Sequence, residues 1–424
     1  TEILYSEGDA FANGRFPKAD MLVSAPANKG MQTFYLRTTF GVLVSMNART
    51  WEWICEDALG YSGTWDPPIA ATSERLYVGL QDGLHTIAGT CDSKPAPELA
   101  GYTVWDVSIE PKHQRAVVLA SKPNQVGTYF VENERGTFDA LGTLPEGYTW
   151  DTVDVAPSDP RTVYLTGVKY PDKPYAHLFR STDGGKTFQE TKPAVEQDGR
   201  LFLSAIDPRD SKRVFVRQNG DDFSAVLLST DGGASFRTVL KTKSSLLGFT
   251  LAEHGKAAFA AAGDPKEGLY RSDDGGLHFH HLEDLSLTCL HDGGVALMGC
   301  SNPLARGGAL VFLGPPMVAS ATFEDIIGPR RCKAACDATW KATRELVLHG
   351  APQLVVRVAG EEAHQQPNGR AGVAAELEDE PVLRDALHPG PRVGDQAAHR
   401  VAAVVVVGEG AEGGAHEERS VLVG

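Results

Sequence analysis

The chain has 424 residues, among them 45 glycines and 25 prolines, and a formal net charge of -15. That length can bury one large core or two, the glycine and proline content favours a turn-rich β architecture, and the acidity argues against nucleic acid or anionic membrane surfaces as partners. The longest apolar run, Val401–Val407, falls well short of the roughly 18 residues that a spanning helix needs, so no membrane span is expected.

The sequence starts at Thr1 with no methionine and no charged-then-apolar leader, so a targeting segment is expected to lie outside it. Thr1–Ser6 could supply a strand. From residue 19 onward, short alternating stretches separated by Gly and Pro turns recur. Val104-Trp105-Asp106-Val107-Ser108-Ile109-Glu110-Pro111, Thr149-Trp150-Asp151-Thr152-Val153-Asp154-Val155-Ala156-Pro157 and Leu201-Phe202-Leu203-Ser204-Ala205-Ile206-Asp207-Pro208 each alternate with period two and end in a Pro turn. A second strand follows each, at 116–119, 162–165 and 213–216.

Downstream lies a stronger repeat, S-x-D-G-G-x-x-F. It occurs at Ser181, Asp183, Gly185 and Phe188, at Ser229, Asp231, Gly233 and Phe236, and at Ser272, Asp274, Gly276 and Phe279. The interval of about 45 residues is the length of one four-stranded propeller blade. In such a turn the carboxylate accepts backbone N–H bonds, the glycines supply positive φ, and the Phe packs back between sheets, joining a third strand to a fourth. The frame extends to seven blades at 19–56, 64–96, 103–141, 149–191, 200–241, 246–283 and 286–326, with closure at six as the alternative. Ser45-Met46-Asn47 carries a decayed copy of the motif, and Gly314-Pro315-Pro316-Met317 stands where the seventh blade has lost it.

Cys55, Cys91, Cys289, Cys300, Cys332 and Cys336 include no C-x-x-C pair and no zinc-finger spacing. Disulfides are therefore the better reading than metal ligation, and with them a secreted, periplasmic or cell-envelope location. The expected pairs are Cys289 with Cys300 across a hairpin, Cys55 with Cys91 at adjacent blade edges, and Cys332 with Cys336 one helical turn apart. Residues 1–330 are thus expected to form the propeller and 331–341 a cysteine-containing closing segment. Residues 342–424 contain no aromatic, Ile, Met, Cys or Lys residue. They read either as a disordered tail or as a translation-frame artefact of a GC-rich gene.

The three S-x-D-G-G motifs resemble those of the Asp-box (BNR repeat) β-propellers, found in sialidases, xyloglucan-cutting glycoside hydrolases, photosystem assembly factors and sortilin-type receptors. The resemblance covers about residues 20–326 and implies a scaffold. It does not imply an activity, because these motifs lie on the outer part of blades, remote from the channel. The sialidase pattern of an arginine triad, a Tyr–Glu pair, an Asp acid/base and an F-R-I-P segment is not matched. Gly14-Arg15-Phe16-Pro17 has the wrong order, and Arg37, Arg161 and Arg213 fall in no such pattern.

Trp65-Asp66, Trp105-Asp106 and Trp150-Asp151 recur near blade starts and are the candidate ligand-binding residues. If first strands line the channel, they would offer aromatic platforms and carboxylates at one mouth; the competing reading is interblade packing by Trp and turn-tying by Asp. His278, His280 and His281 read as exposed, with no metal site and no cofactor expected. No P-loop, dinucleotide-binding glycine pattern, H-E-x-x-H or G-x-S-x-G occurs. Two functions stay open: a binding propeller for a protein or glycan, which the regular repeat favours, and a glycoside hydrolase or lyase whose catalytic residues the sequence does not identify. Oligomeric state is not legible.

Overall fold

Strand alternation and the regular period resolve, in a computed structural model, into seven four-stranded antiparallel sheets among the described residues, a β-propeller. The described residues are 19–28, 31–47, 50–62, 65–88, 93–172, 175–191, 199–292, 297–301, 310–313, 318–321, 332, 336–337 and 339–340. Blades 1 to 7 span 19–54, 69–95, 103–143, 149–191, 199–242, 246–283 and 287–321, close to the boundaries expected from the repeat. Thr1–Ser6, Cys91, the Gly314–Met317 stretch and residues 342–424 lie outside the described residues.

Each blade is a meander of four consecutive strands, so no described sheet borrows a strand from a distant part of the chain. The first strand of each is innermost: Ala19–Asn28, Ile69–Ala71, Thr103–Glu110, Thr149–Val155, Gly199–Ile206, Leu246–Ala252 and Leu287–Asp292. Neighbouring inner strands lie side by side, and that of blade 7 returns to that of blade 1. Among the described residues helix is confined to Glu56–Leu59, short 3-10 turns at Pro97–Leu99 and Glu253–Gly255, and brief turns after Cys332. No described helix is long and apolar enough to cross a membrane.

Burial is graded outward from the axis. Second strands are covered on both faces by neighbouring blades, so Val163–Val168 and Ala257–Ala262 are buried throughout and read as continuous runs of small and apolar residues. Outermost strands meet water on one side or both, as His280–Glu283 does along its whole length. The apolar clusters accordingly lie between blades: Tyr129, Trp150, Val153 and Phe179 join blades 3 and 4, and Phe215, Val226, Phe249 and Ala258 join blades 5 and 6.

The three S-x-D-G-G turns connect third to fourth strands. Ser181 donates to Asp183 Oδ1 at 2.7 Å and accepts from the Gly185 amide at 2.9 Å, while Asp183 takes the Lys186 and Thr187 amides, each at 3.0 Å. Ser229 with Asp231 and Ser272 with Asp274 repeat the scheme. These bonds hold the Asp183 and Asp231 carboxyls down at about 2 and Asp274 lower still. The second glycine of each turn fits against the preceding blade: a Cβ on Gly185 would lie 2.0 Å from the Tyr129 ring, on Gly233 2.8 Å from Leu178, and on Gly276 2.7 Å from Phe215. Phe188 meets Tyr129 edge-on at 5.6 Å. The turns therefore lock each blade to its predecessor as well as bridging two strands. Asn47 ties the corresponding turn in blade 1, its Oδ1 accepting from Ser45 at 3.1 Å and from the Thr50 amide at 2.9 Å. A further variant passes unnoticed in the sequence: in Asn133-Glu134-Arg135-Gly136-Thr137-Phe138, Asn133 Oδ1 accepts the Arg135 and Thr137 amides at 3.0 and 3.2 Å.

The cysteines partly depart from expectation. Cys289 and Cys300 are directly opposite on adjacent strands and are bonded, as expected. Cys55, however, is bonded to Cys336, 281 residues away, which overturns both the Cys55–Cys91 and the Cys332–Cys336 pairings; Cys332 is also disulfide-bonded. Spacing could not reveal this, because the ring brings the chain after blade 7 back onto blade 1. There Trp340 packs on Trp53 with centroids 5.4 Å apart, and Cys332 and Cys336 join an apolar cluster shared by blades 1, 2 and 7.

Two measurements test these locks. Gly184 and Gly185 share left-handed backbone at φ 81° and 89°, but an added Cβ meets nothing within 4 Å at Gly184. Gly185→Ala is expected to lower the melting temperature well beyond Gly184→Ala; equal losses would mean that the turn does not bear on blade packing. Replacing Cys55 and Cys336 together by Ser should cost about 2–5 kcal/mol. Amide exchange should then quicken first in Ala19–Asn28 and Leu287–Asp292, and unchanged protection there would show that packing alone closes the ring.

Candidate functional site

An inner strand pairs on one edge with the second strand of its blade, and its other edge faces the axis, where its amides and carbonyls still need partners. Side chains from adjacent blades supply them. Asp106 Oδ2 accepts from the Val153 amide at 2.8 Å and its Oδ1 from the Val107 amide at 2.9 Å. Thr152 accepts from the Leu203 amide at 3.0 Å and Thr250 from the Asp292 amide at 3.2 Å. Side chains also bond across: Ser108 donates to Asp154 Oδ1 at 2.9 Å, and Ser24 and His291 Nε2 lie 2.8 Å apart. Donors reach carbonyls where the acceptor is backbone, Arg37 meeting Asp66 and Pro67 at 3.3 and 3.0 Å and Arg217 meeting Leu246 at 3.0 Å.

Six inner strands carry a β-bulge, which falls on Asp20, Trp105, Asp151, Ser204, Leu247 and Thr288. A bulge re-aims the side chains around it and shifts everything beyond by one position. It breaks the apparent Trp-Asp repeat: the extra residue is Trp105 in blade 3 but Asp151 in blade 4, so Asp106 corresponds to Thr152. Trp65 and Asp66 precede the inner strand of blade 2 and belong to no strand.

The three pairs thus do not form one ring of equivalent groups. Trp65 donates to the Gly79 carbonyl and Trp105 to Ser121, both at 2.8 Å. Trp150 is buried, with Tyr148 and Phe179 at centroid distances of 5.5 and 5.2 Å. Asp151 accepts from Arg200 across to blade 5, and its other oxygen is buried without a hydrogen bond. Of the histidines, His278 bonds Asp274 at 2.6 Å within its turn and His281 pairs with Asp284 at 3.2 Å. Among the described residues no group of three or more His, Cys, Asp or Glu side chains is placed to hold a metal ion.

What the structure does bring together is a polar cavity of about 420 Å³ on the axis, within the range of small-ligand sites. Inner strands of blades 3 to 7 line it, with Ser108, Asp154, Ser204, Thr250 and Asp292 contributing polar groups. Asp106 and Asp154 interact across the junction of blades 3 and 4. Burial, reinforced by the nearby Asp154 charge and opposed by two N–H bonds, pushes Asp106 up to about 8. Burial raises Asp154 to about 6, against the bond from Ser108. Where blade 7 meets blade 1, burial, opposed by the neighbouring Asp292 charge, pushes His291 down to about 4, so it is neutral at pH 7. The sequence drew attention to Asp151 and away from Asp154, three residues on, because the bulge that decides which of them meets the cavity leaves no signature in residue type.

No family model matches the chain, and no curated protein does. Solved structures similar to it include a GH74 xyloglucanase of Xanthomonas campestris, at 14% identity and TM-score 0.36 over 71% of this chain and 63% of that one. The Dos1 propeller matches at 12% and 0.45, over 73% and 83%. A puromycin-hydrolysing peptidase of Mycobacterium tuberculosis matches at 14% and 0.47, over 71% and 52%. The chain spans less than two thirds of the length of the xyloglucanase. Likenesses at this level carry no functional argument.

The carboxyl pair makes a prediction about pH. A group whose folded pKa lies above its unfolded value favours folding below the unfolded value, and that advantage is lost as pH rises through the folded one. For Asp106 the window runs from the ordinary 3.8 to about 8. The Asp106→Asn variant is therefore expected to gain in melting temperature relative to the parent as pH rises from 4 to 8. A relative loss over that interval would mean that the native state requires the ionised carboxylate.

Proposed function

We propose that this chain is a non-catalytic binding propeller of the Asp-box type, secreted or periplasmic, that holds a protein or glycan at its ring axis. The observation that carries this reading is the use already made of the axial carboxylates. A glycosidase needs two carboxyl groups free to meet substrate, one to protonate and one to attack or activate water. Here Asp106 gives both oxygens to backbone amides, and Asp151 is sealed against Arg200. The polar cavity remains as a place for a ligand. The disulfides support an oxidising compartment, and the regular blade length, without long insertions, supports a scaffold role.

One observation favours a second reading, hydrolysis or lyase chemistry: Asp154 lines the cavity, and burial holds it near the pH range of a general acid. Both readings meet one experiment. The full chain is passed over a glycan array and an envelope extract, with product analysis of each retained glycan. Retention without cleavage is expected. Cleavage of an arrayed glycan that disappears in Asp154→Asn would overturn the non-catalytic reading and put Asp154 at the reaction.

A further inference from the structure

The axial cavity is graded along its depth. Pro111, Pro157 and Pro208 lie in the turns between first and second strands of blades 3, 4 and 5, and His254 in the corresponding turn of blade 6; all four line the cavity. Pro111, Pro157 and His254 are exposed, so the cavity opens on the face that carries those turns. Two residues before the prolines stand Ile109, Val155 and Ile206, which with Leu251 of blade 6 form an apolar collar. One step further from the turns come Ser108, Asp154 and Thr250, and Asp292 of blade 7 adds a second carboxylate.

Asp154 is the group at this inner level that has capacity to spare. Its Oδ1 accepts from Ser108 at 2.9 Å, and its Oδ2 accepts from no described residue. Unlike the second oxygen of Asp151, that Oδ2 is not sealed in protein, and Asp154 is a wall residue, so an acceptor faces the cavity. Near pH 7 Asp106 beside it, at about 8, keeps its proton, while Asp154, at about 6, is ionised. The pair therefore presents one negative charge, on the oxygen that is open. No lysine or arginine is among the described wall residues to offset it. Arg209, on the blade 5 turn, is paired with Asp207 and donates to the Gly255 carbonyl at 3.1 Å.

We propose that the axial cavity receives a lysine side chain of a protein partner, its aliphatic stem against the collar and its ammonium at Asp154. A cation can reach that level only by passing the apolar residues, and lysine joins a compact, three-donor charge to a flexible four-carbon stem that buries well along apolar surface. Arginine fits less well, because its planar fork takes both oxygens of a carboxylate side by side and Ser108 already occupies one. A neutral glycan brings no charge to meet Asp154. The net charge of -15 on the chain draws a basic partner toward it. This deepens the binding reading and rests on it, naming the class of partner and the group that enters the cavity.

The test uses the full chain with Nα-acetyl-lysine methylamide, compared with its norleucine, Nε-acetyl-lysine and arginine counterparts, followed by calorimetry and thermal shift. The lysine compound is expected to bind and to raise the melting temperature, and each counterpart to bind at least tenfold more weakly. Equal binding of the norleucine compound would reduce the site to an apolar slot and overturn the proposal, as would tighter binding of the arginine compound. Lysine binding should weaken as pH falls from 7 to 5, because Asp154 takes up its proton near 6. It should weaken equally in His254→Gln, which removes the titratable group at the mouth; an affinity indifferent to pH would overturn the role of Asp154. Asp154→Asn should abolish binding while raising the melting temperature at pH 7, since folding disfavours the charge there. Undiminished binding in that folded variant would overturn the assignment. Retention of an arrayed glycan without lysine binding would overturn the lysine site and leave the broader binding reading standing, whereas lysine binding by a chain that cleaves a glycan would support the site and defeat the non-catalytic reading.

Discussion

Every blade of this ring has one strand edge that no other strand covers, and the molecule is organised around satisfying it. A meandering sheet has two edges. The outer one meets water, but the inner one faces a narrow axis where seven such edges converge. Leaving an amide buried there without a partner costs about 1–3 kcal/mol, so acceptors and donors are recruited from neighbouring blades: Asp106 for Val153, Thr152 for Leu203, Thr250 for Asp292, Arg217 for Leu246. The polar residues that make the axis look like an active site are, for the most part, the residues that hold the blades in register. What chemistry the axis can offer is set by the few groups left over.

The period, the strand order within blades and the three S-x-D-G-G turns were legible because they are local. A Ser, an Asp and two glycines within one turn determine its hydrogen bonds wherever that turn sits, and period-two alternation reports a half-buried strand without reference to its neighbours. The candidate site was much less legible. Trp105-Asp106 and Trp150-Asp151 look equivalent in the sequence, yet a single extra residue in each inner strand falls on the Trp in one and on the Asp in the other, and nothing in composition marks where a bulge will fall. Asp154 and Arg217 escaped notice for the same reason, since their meaning depends on a partner in another blade. The turn at Asn133 was within reach, because Asn can stand in for Asp as an acceptor and Gly136-Thr137-Phe138 keeps the end of the motif.

The turns and the axial bonds divide the labour of holding blades together. At the rim, Gly185, Gly233 and Gly276 let a turn of one blade press against an aromatic or aliphatic side chain of the blade before it, an apolar contact insensitive to pH. At the axis the contacts are polar and include Asp106 and Asp154, whose protonation changes across the mildly acidic to mildly basic range. The rim fixes blade spacing, while the hub responds to its surroundings.

The bond between Cys55 and Cys336 has a consequence for how the chain is made. Because each blade is one contiguous stretch, its four strands can pair as they are synthesised, in order from the first blade onward. The covalent seam cannot form in that order. Cys55 emerges early and its partner lies 281 residues behind it, so the native bond can close only after all seven blades have been synthesised, and once formed it records that the circle has met itself.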